Sequence, residues 1–194
     1  MISDVFKITV WHTNLSSNLN LNDIEKCCLN IEKQDDKRVV SNLGGFQSNP
    51  IVFENYPELF DLYKTIINQA RTFCNEINIK EIEKLSSLWV NINEYGHSNR
   101  EHHHANCILS GVFYAHSIPN TKAGSIVFKH PAADLMAFDW VGIQKDFFPE
   151  NSSIWQFPCV PGDLIIFPSW LTHSVEPNLA KDYKRISISF NLNY

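Results

Sequence analysis

The sequence lacks cysteines at metal-binding or redox spacing, and it lacks a long hydrophobic run. Its five cysteines form no CxxC pair and leave one over, so we expect a reducing compartment rather than a disulfide framework. No stretch reaches the about 18 apolar residues of a membrane span, and the start MISDVFKITVW has no signal-peptide pattern. We therefore predict a cytoplasmic protein without membrane contact. The cysteines are Cys27, Cys28, Cys74, Cys107 and Cys159.

The sequence also lacks an excess of positive charge, internal repeats and low-complexity tracts. The net charge of −5 argues against a protein whose main task is to neutralise phosphates, so nucleic acid is not the expected partner. Apolar material is plentiful, since 44% of the 194 residues are hydrophobic and 12% are aromatic. This amount is enough for one domain, residues 1–194, with a buried core.

The first part of the chain, residues 1–84, predicts one strand and two helices. Apolar and polar residues alternate over Val5–Trp11 as in a strand, and an amphipathic helical pattern covers 22–31. The segment GGF at 44–46 marks a loop, and Pro57 stands where the first turn of a helix tolerates proline. The helix after it, the longest predicted, has apolar residues at helical spacing: Leu59, Leu62, Tyr63, Ile66, Ala70, Phe73 and Ile77.

From about Leu85 to the C-terminus the hydrophobic period changes from helical to twofold. Six short strands are predicted there, separated by turn signals such as the PGD at 161–163, and a longer irregular stretch covers 130–150. A mainly β, α+β fold follows, with a jelly roll core over about 85–194 and the N-terminal helices packed outside it. The predicted strands lie near 87–95, 106–115, 124–129, 154–160, 163–168 and 184–192.

Three adjacent histidines begin the segment HHHANCILSGVFY. In an extended chain residues i and i+2 face the same side, so His102 and His104 can hold a metal together while His103 points away. A third candidate ligand, His173, lies far downstream in FPSWLTHSVEPN. The remaining histidines have no partner at ligand spacing and are assigned no role: His12, His97, His116 and His130.

The last predicted strand, KRISISFNLN, separates polar from apolar side chains. Its polar face is either the lining of a cavity that binds an anion through Arg185 or the surface of a solvent-facing edge strand, and the strand alone leaves both open. The polar face carries Arg185, Ser187, Ser189 and Asn191, and the other face carries Ile186, Ile188, Phe190 and Leu192.

Four segments in this order, HHHANCILSGVFY, GSIVF, PGDLIIFPSWLTHSV and RISISFN, resemble the small family of Fe(II)/2-oxoglutarate-dependent oxygenases found in bacteria and marine phages. The resemblance covers about residues 85–194. It implies a double-stranded β-helix, which is a cupin-like jelly roll. It also implies that His102, His104 and His173 hold one Fe(II) and that no other catalytic side chain is needed.

The resemblance further implies how 2-oxoglutarate binds. Arg185 corresponds to the arginine that anchors the far carboxylate, and Ser187 on the same face adds a hydroxyl group. Tyr114 stands where related enzymes have a tyrosine that contacts this carboxylate, and its parity along the strand matches that of the two candidate histidines. Tyr95 and Asn191 are further candidates, which their order in the chain places near the pocket rim and the metal.

One metal ligand departs from the pattern of most of the superfamily, which has an acidic residue two positions after the first histidine. Here that position is His104, and three neutral imidazoles leave the Fe(II) site one charge unit more positive than two histidines and a carboxylate. Three-histidine iron sites occur among cupin dioxygenases. A ligand set that uses Glu101 or His103 instead breaks the facing rule unless the backbone bulges.

The implied activity is that of a dioxygenase. Fe(II), 2-oxoglutarate and O2 would hydroxylate an unidentified substrate, either a protein or a small molecule, with release of succinate and CO2. The order of the motifs is nearest to that of peptidyl hydroxylases, which favours a peptidyl residue by analogy alone. A homodimer is left open.

Two other interpretations are kept. A non-oxygenase cupin, either a binding protein or an isomerase, would use the same three histidines without 2-oxoglutarate and would not need Arg185 and Ser187. A nucleic-acid demethylase is suggested by the NEY at 93–95, but that branch has a second arginine where this chain has Asn191. The aromatic and acidic stretch 130–150 either covers the mouth of the barrel or packs into the core.

Overall fold

The computed structural model of the protein describes residues 5–118, 121–140 and 142–194. Within these ranges the chain forms eleven strands and three α-helices. The strands are β1 (Trp11–Asn14), β2 (Asn42–Leu43), β3 (Phe46–Gln47), β4 (Lys84–Asn93), β5 (Ser98–His102), β6 (Leu109–His116), β7 (Ser125–Lys129), β8 (Ile154–Pro158), β9 (Asp163–Pro168), β10 (His173–Val175) and β11 (Arg185–Asn193). The helices are α1 (Leu21–Gln34), α2 (Phe60–Glu76) and α3 (Ala133–Asp139).

Two antiparallel sheets contain all of these strands. The larger sheet has the order β1-β9-β6-β11-β4-β3, and the smaller sheet has the order β2-β5-β10-β7-β8. From β4 onward most successive strands belong to opposite sheets, which is how a jelly roll is wound. The predicted mainly β fold is confirmed.

The two N-terminal helices pack on the outer face of the larger sheet, as predicted. Their apolar stripes share one hydrophobic core with the outward side chains of the sheet, such as Val90, Ile188 and Ile166. Helix α1 begins where Asn20 caps it by accepting a hydrogen bond from the backbone N–H of Asp23. The buried helical side chains are Ile24, Cys27, Cys28, Ile31, Leu62, Ile66, Ile67, Ala70, Phe73 and Cys74.

The inner face of the larger sheet is polar. Strand β11 lies between β6 and β4, and the register aligns Gln47, Asn91, Ser187 and Tyr114 in one row across four strands. Because β11 is a central strand, its polar face is directed into the fold and is not a solvent-facing edge. The cavity-lining alternative for this strand is therefore the correct one.

Two local predictions were wrong. The predicted strand over Val5–Trp11 is irregular except at its last residue, because only β1 pairs with β9. Ile8 and Val10 within it pack against the core between the sheets, which accounts for the apolar alternation without a strand. The predicted irregular stretch 130–150 contains α3, and Val141 of that stretch lies outside the described residues, as do residues 1–4 of the predicted N-terminal support.

Membrane insertion has no support in the helices. None within the described ranges combines the length and the apolar character that a membrane span requires.

Candidate metal and cosubstrate site

The three predicted ligand histidines come together between the two sheets. His102 ends β5, His173 begins β10, and the two are direct partners in the antiparallel register. His104 lies two residues past the end of β5, where its backbone N–H donates to the carbonyl of Ser169 at 2.9 Å. One nitrogen from each ring lies within 4.8 Å of the others, a spacing that allows a single metal ion to be bound.

Backbone carbonyls fix the orientation of two of these rings. Nδ1 of His102 lies 2.7 Å from the carbonyl oxygen of Arg100, and Nδ1 of His173 lies 2.9 Å from that of Leu171. A carbonyl oxygen only accepts hydrogen bonds, so Nδ1 carries the proton in both rings. The lone pair of each Nε2 is then free to bind a metal. Metal-binding histidines typically donate a hydrogen bond from the other ring nitrogen in this way.

All three imidazoles are held neutral. Burial lowers the pKa of His102, and burial together with the neighbouring His102 lowers the pKa of His104 to about 4 and that of His173 to about 3. A neutral imidazole is the form that binds a metal, so these nitrogens do not have to lose a proton first. The predicted departure from the two-histidine-one-carboxylate pattern is present in the cluster, which contains no acidic residue among the described residues.

The alternative ligands Glu101 and His103 are not in this cluster. The carboxylate of Glu101 is exposed and lies 3.8 Å from the ammonium group of Lys129. His103 is also exposed, although it lines part of the same cavity. His102 and His104, which the alternation of side chains predicted as the ligand pair, are therefore the two that join the cluster, although His104 lies beyond the last residue of β5.

Arg185 is a buried cation with an incomplete set of partners. Its side chain is 1% exposed, and Nη1 donates to the carbonyl oxygens of Ala123 at 2.6 Å and Glu176 at 2.9 Å. Nη2 is buried and has no hydrogen-bond partner among the described residues. A buried guanidinium without an anion is costly, so this geometry calls for a carboxylate or another anion at Nη2.

Tyr114 supplies a second incomplete polar group nearby. Its side chain is 1% exposed, and its buried hydroxyl likewise lacks a hydrogen-bond partner in the described part of the chain. Burial and the neighbouring thiol of Cys159 raise its pKa, so the hydroxyl keeps its proton and can donate it. Ser187, the register partner of Tyr114, is 6% exposed and lines the same space.

One cavity of about 460 Å³ joins the histidine cluster to the arginine. Its size suits a small dicarboxylate together with part of a larger molecule. The donor set fits an Fe(II) ion and 2-oxoglutarate: neutral imidazoles suit the metal, and the unpartnered Nη2 and hydroxyl suit a carboxylate. The predicted site residues that line it are His102, His104, His173, Arg185, Ser187, Tyr114 and Asn191.

The structure corrects the reason given for Tyr114. It does not share a strand face with His102, because β5 and β6 belong to different sheets and the chain turns between them at Asn106, which has a φ of 60°. Tyr114 reaches the cavity because β6 lies beside β11. Asn191 lines the cavity and accepts a hydrogen bond from the hydroxyl of Ser110 at 2.8 Å.

Tyr95 is placed apart from these residues. It follows the end of β4, is 51% exposed and does not belong to the cavity lining. The ammonium group of Lys181 lies 5.7 Å from its ring centroid. Its predicted role at the pocket rim therefore has no geometric support.

Several lining residues were missed from the sequence. Trp89, Asn91 and Asn93 project from β4 into the cavity, and the alternation in SLWVNIN could have revealed them because it matches that of β11. Gln47 lies on a two-residue strand that has no detectable period, and the lone buried Cys159 lies behind the lining, beside Tyr114. No pattern in the sequence distinguishes these last two.

A jelly roll in which one cavity contains three convergent imidazoles and a buried arginine defines a non-haem metal-dependent enzyme. The family model described as "Putative 2OG-Fe(II) oxygenase" matches residues 87–191, more than half of the chain. The chain belongs to this family and is a 2-oxoglutarate-dependent oxygenase, with Fe(II), 2-oxoglutarate and O2 as its cofactors. No curated protein sequence matches it significantly.

Solved structures of such enzymes share the fold. A prolyl-4-hydroxylase from Pseudomonas putida is 14% identical, with a TM-score of 0.68 over 96% of this chain and 94% of its own. A prolyl hydroxylase from Trichoplax adhaerens, in complex with a hypoxia inducible factor peptide fragment, is 13% identical, with a TM-score of 0.68 and coverages of 95% and 83%. HygX from Streptomyces hygroscopicus, with nickel and 2-oxoglutarate bound, is 10% identical, with a TM-score of 0.60 and coverages of 96% and 83%. The double-stranded β-helix is thereby confirmed.

Proposed function

We propose that the protein hydroxylates a C–H bond of its substrate with His102, His104 and His173 holding Fe(II) and Arg185 holding the C5 carboxylate of 2-oxoglutarate. One observation carries this assignment. Nη2 of Arg185 is a buried donor without a hydrogen-bond partner among the described residues, and Arg185 lines the same cavity as three neutral imidazoles. The hydroxyl of Tyr114 supplies a second unpartnered donor for the same carboxylate.

The side chains of the cavity position and shield the reactants. When bound, Fe(II) with 2-oxoglutarate and O2 supplies the oxidising chemistry, and succinate and CO2 are released. Arg185 and Tyr114 orient the cosubstrate, while Phe167 and Ile126 form apolar parts of the wall that keep water out. No side chain has to act as a nucleophile.

The two rival interpretations explain less of the structure. A cupin that does not use 2-oxoglutarate gives no reason for a buried arginine with a free Nη2. In a nucleic-acid demethylase a second arginine would replace Asn191, and here that amide is engaged with Ser110. The oxygenase therefore accounts best for the inner face of β11.

The remaining proposals concern substrate, assembly and location. A peptidyl residue as substrate is supported by the fold shared with the two prolyl hydroxylases, which at 14% and 13% identity is a likeness of fold alone. A homodimer stays a prediction. A cytoplasmic location is supported by cysteines that are all free, four of them buried.

Succinate formation tests the proposed function. Protein loaded with Fe(II) is incubated with 2-oxoglutarate in air, and succinate is measured against a sample without iron and a sample of Arg185→Gln. Slow turnover without the prime substrate is expected in the complete sample only. If succinate forms equally in all three samples, or the complete sample neither forms succinate nor binds 2-oxoglutarate, the proposed function is wrong.

A further inference from the structure

We propose that the substrate carries an anionic group, a carboxylate or a phosphate, and that Arg38 and Arg100 bind it at the mouth of the active-site cavity. This inference rests on the proposed function, because the cavity is the one that holds the three histidines and Arg185. It adds a second anion site to that cavity, separate from the buried site for 2-oxoglutarate.

Backbone hydrogen bonds hold both arginines at the cavity. The backbone N–H of Arg38 donates to the carbonyl of Gln47 at 2.8 Å, which attaches it to β3 at the edge of the larger sheet. Arg100 lies on β5 of the smaller sheet, and its N–H donates to the carbonyl of Ser41 at 2.9 Å. Both arginines are exposed and both line the same cavity, and the carbonyl that binds Arg100 belongs to Ser41, three residues after Arg38.

These cations have no anionic partner in the described part of the chain. Among the described residues, neither guanidinium group takes part in an ion pair or a side-chain hydrogen bond. The acidic residue of the described lining is Glu101, whose carboxylate lies 3.8 Å from the ammonium group of Lys129. In a chain with a net charge of −5, two unpaired arginines at one opening are a local reversal of sign. Such a reversal attracts anions to the opening.

The chemistry of the mouth favours an oxyanion attached to a larger molecule. A guanidinium group matches a carboxylate or a phosphate with two parallel hydrogen bonds, and two such groups can share one anion. Next to them, Gln47 is 6% exposed and its Oε1 has no hydrogen-bond partner among the described residues, so it can accept from an N–H or O–H of the substrate. The ring of Trp89 lines the cavity 5.8 Å from that of His104 and offers a flat apolar surface on the way to the metal site.

Binding of simple anions tests the site without turnover. The protein is saturated with Ni(II) in place of Fe(II) and with 2-oxoglutarate, so that Arg185 is occupied, and is then titrated with inorganic phosphate or acetate by calorimetry. Arg38→Gln and Arg100→Gln should each weaken binding of the preferred anion by about two- to tenfold. The double variant should lose saturable binding. Lys37→Gln removes an exposed cation one residue away, outside the cavity lining, and should bind the anion like wild type.

Each outcome decides one question. Tighter binding of phosphate than of acetate indicates a phosphorylated substrate, and the reverse order indicates a carboxylate. If wild type binds neither anion, or if the double variant binds as tightly as wild type, the proposed anion site does not exist. Binding of 2-oxoglutarate is measured first in the same samples. If 2-oxoglutarate does not bind, the proposed function is refuted. The comparison of wild type with the double variant still decides the role of Arg38 and Arg100.

Discussion

His102 and His173 face each other across two antiparallel strands, with ring centroids 4.4 Å apart. The register of β5 and β10 sets this pair, and His104 completes the cluster with ring centroids at 5.1 Å and 5.2 Å from the other two. The metal site therefore depends on the pairing of two short strands at the centre of the smaller sheet.

Removal of any of the three histidines should weaken metal binding. His102→Ala, His104→Ala and His173→Ala each delete one ligand, and we expect a loss of Fe(II) affinity greater than the about 10- to 100-fold typical of outer-shell changes. Anaerobic titration with Fe(II) measures this. His103→Ala is the matched control, because His103 is exposed and outside the ligand cluster. Full affinity in His104→Ala would disprove the three-histidine site.

The metal-free protein should lose stability as the pH falls from about 6.5, the ordinary histidine value, toward 4 and 3. The pKa of His104 is lowered to about 4 and that of His173 to about 3. Below pH 6.5 the unfolded chain therefore takes up protons on these rings that the folded chain excludes, and the free energy of unfolding decreases. Urea unfolding at several pH values between about 7.5 and about 5 measures this slope.

The variant His173→Gln should flatten that slope, because one of the three rings whose pKa is lowered is removed. Comparison of slopes rather than of absolute stabilities separates proton linkage from any packing defect at position 173. Identical slopes in wild type and His173→Gln would contradict the prediction.

Arg185→Gln should weaken 2-oxoglutarate binding by about 10- to 100-fold, as expected for the loss of a charge-assisted hydrogen bond. Fe(II) binding should be nearly intact, because Arg185 is not a metal ligand. The charge-transfer band that appears when 2-oxoglutarate binds to the Fe(II) protein without oxygen reports both. Lys184→Gln is the control, since Lys184 pairs with Glu32 and Glu94 away from the cavity. If Arg185→Gln binds 2-oxoglutarate as tightly as wild type, Arg185 does not bind the cosubstrate.

Tyr114→Phe should change stability and cosubstrate affinity in opposite directions. The buried hydroxyl has no hydrogen-bond partner within the described ranges, so its removal should raise the free energy of unfolding of the ligand-free protein by about 1 kcal/mol. The same change should weaken 2-oxoglutarate binding about three- to tenfold. Urea unfolding and the charge-transfer titration test the two halves. Unchanged cosubstrate affinity would show that the hydroxyl does not contact the carboxylate.

The sequence predicted the site better than it predicted the surroundings of the site. The polar face of β11 and the pair His102 and His104 were predicted from residues that repeat every second position. This prediction works because side chains alternate between two sides along any extended chain. Strands of two to five residues, such as β3, β5 and β10, are too short to show a period, so their positions depend on tertiary pairing.

Contacts between residues on different strands also could not be predicted from the sequence. Tyr114 lies next to Ser187 because β6 pairs with β11, a contact that no local pattern encodes. The thiol of Cys159, just past the end of β8, likewise lies beside Tyr114 from another strand. The parity argument for Tyr114 was therefore wrong, although Tyr114 does line the cavity. Tyr95, which was placed by its order in the chain, is not part of the cavity lining.

Gly124→Ala should impair cosubstrate binding through Arg185. Gly124 has a φ of +81°, and an added Cβ would lie 2.6 Å from Nη1 of Arg185 and 2.6 Å from the carbonyl oxygen of Glu176. The carbonyl oxygen of Glu176 accepts a hydrogen bond from Nη1 and so helps to hold the guanidinium group. The added methyl group must therefore displace the guanidinium group, including the buried Nη2.

Gly96→Ala separates this effect from backbone strain. Gly96 has a similar φ of +79°, but an added Cβ there meets nothing within 4 Å. Both variants should lose about 1–2 kcal/mol of stability from the left-handed backbone. Only Gly124→Ala should also lose 2-oxoglutarate affinity, measured by the charge-transfer band at saturating Fe(II). Equal cosubstrate affinity in the two variants would mean that the position of Arg185 does not control 2-oxoglutarate binding.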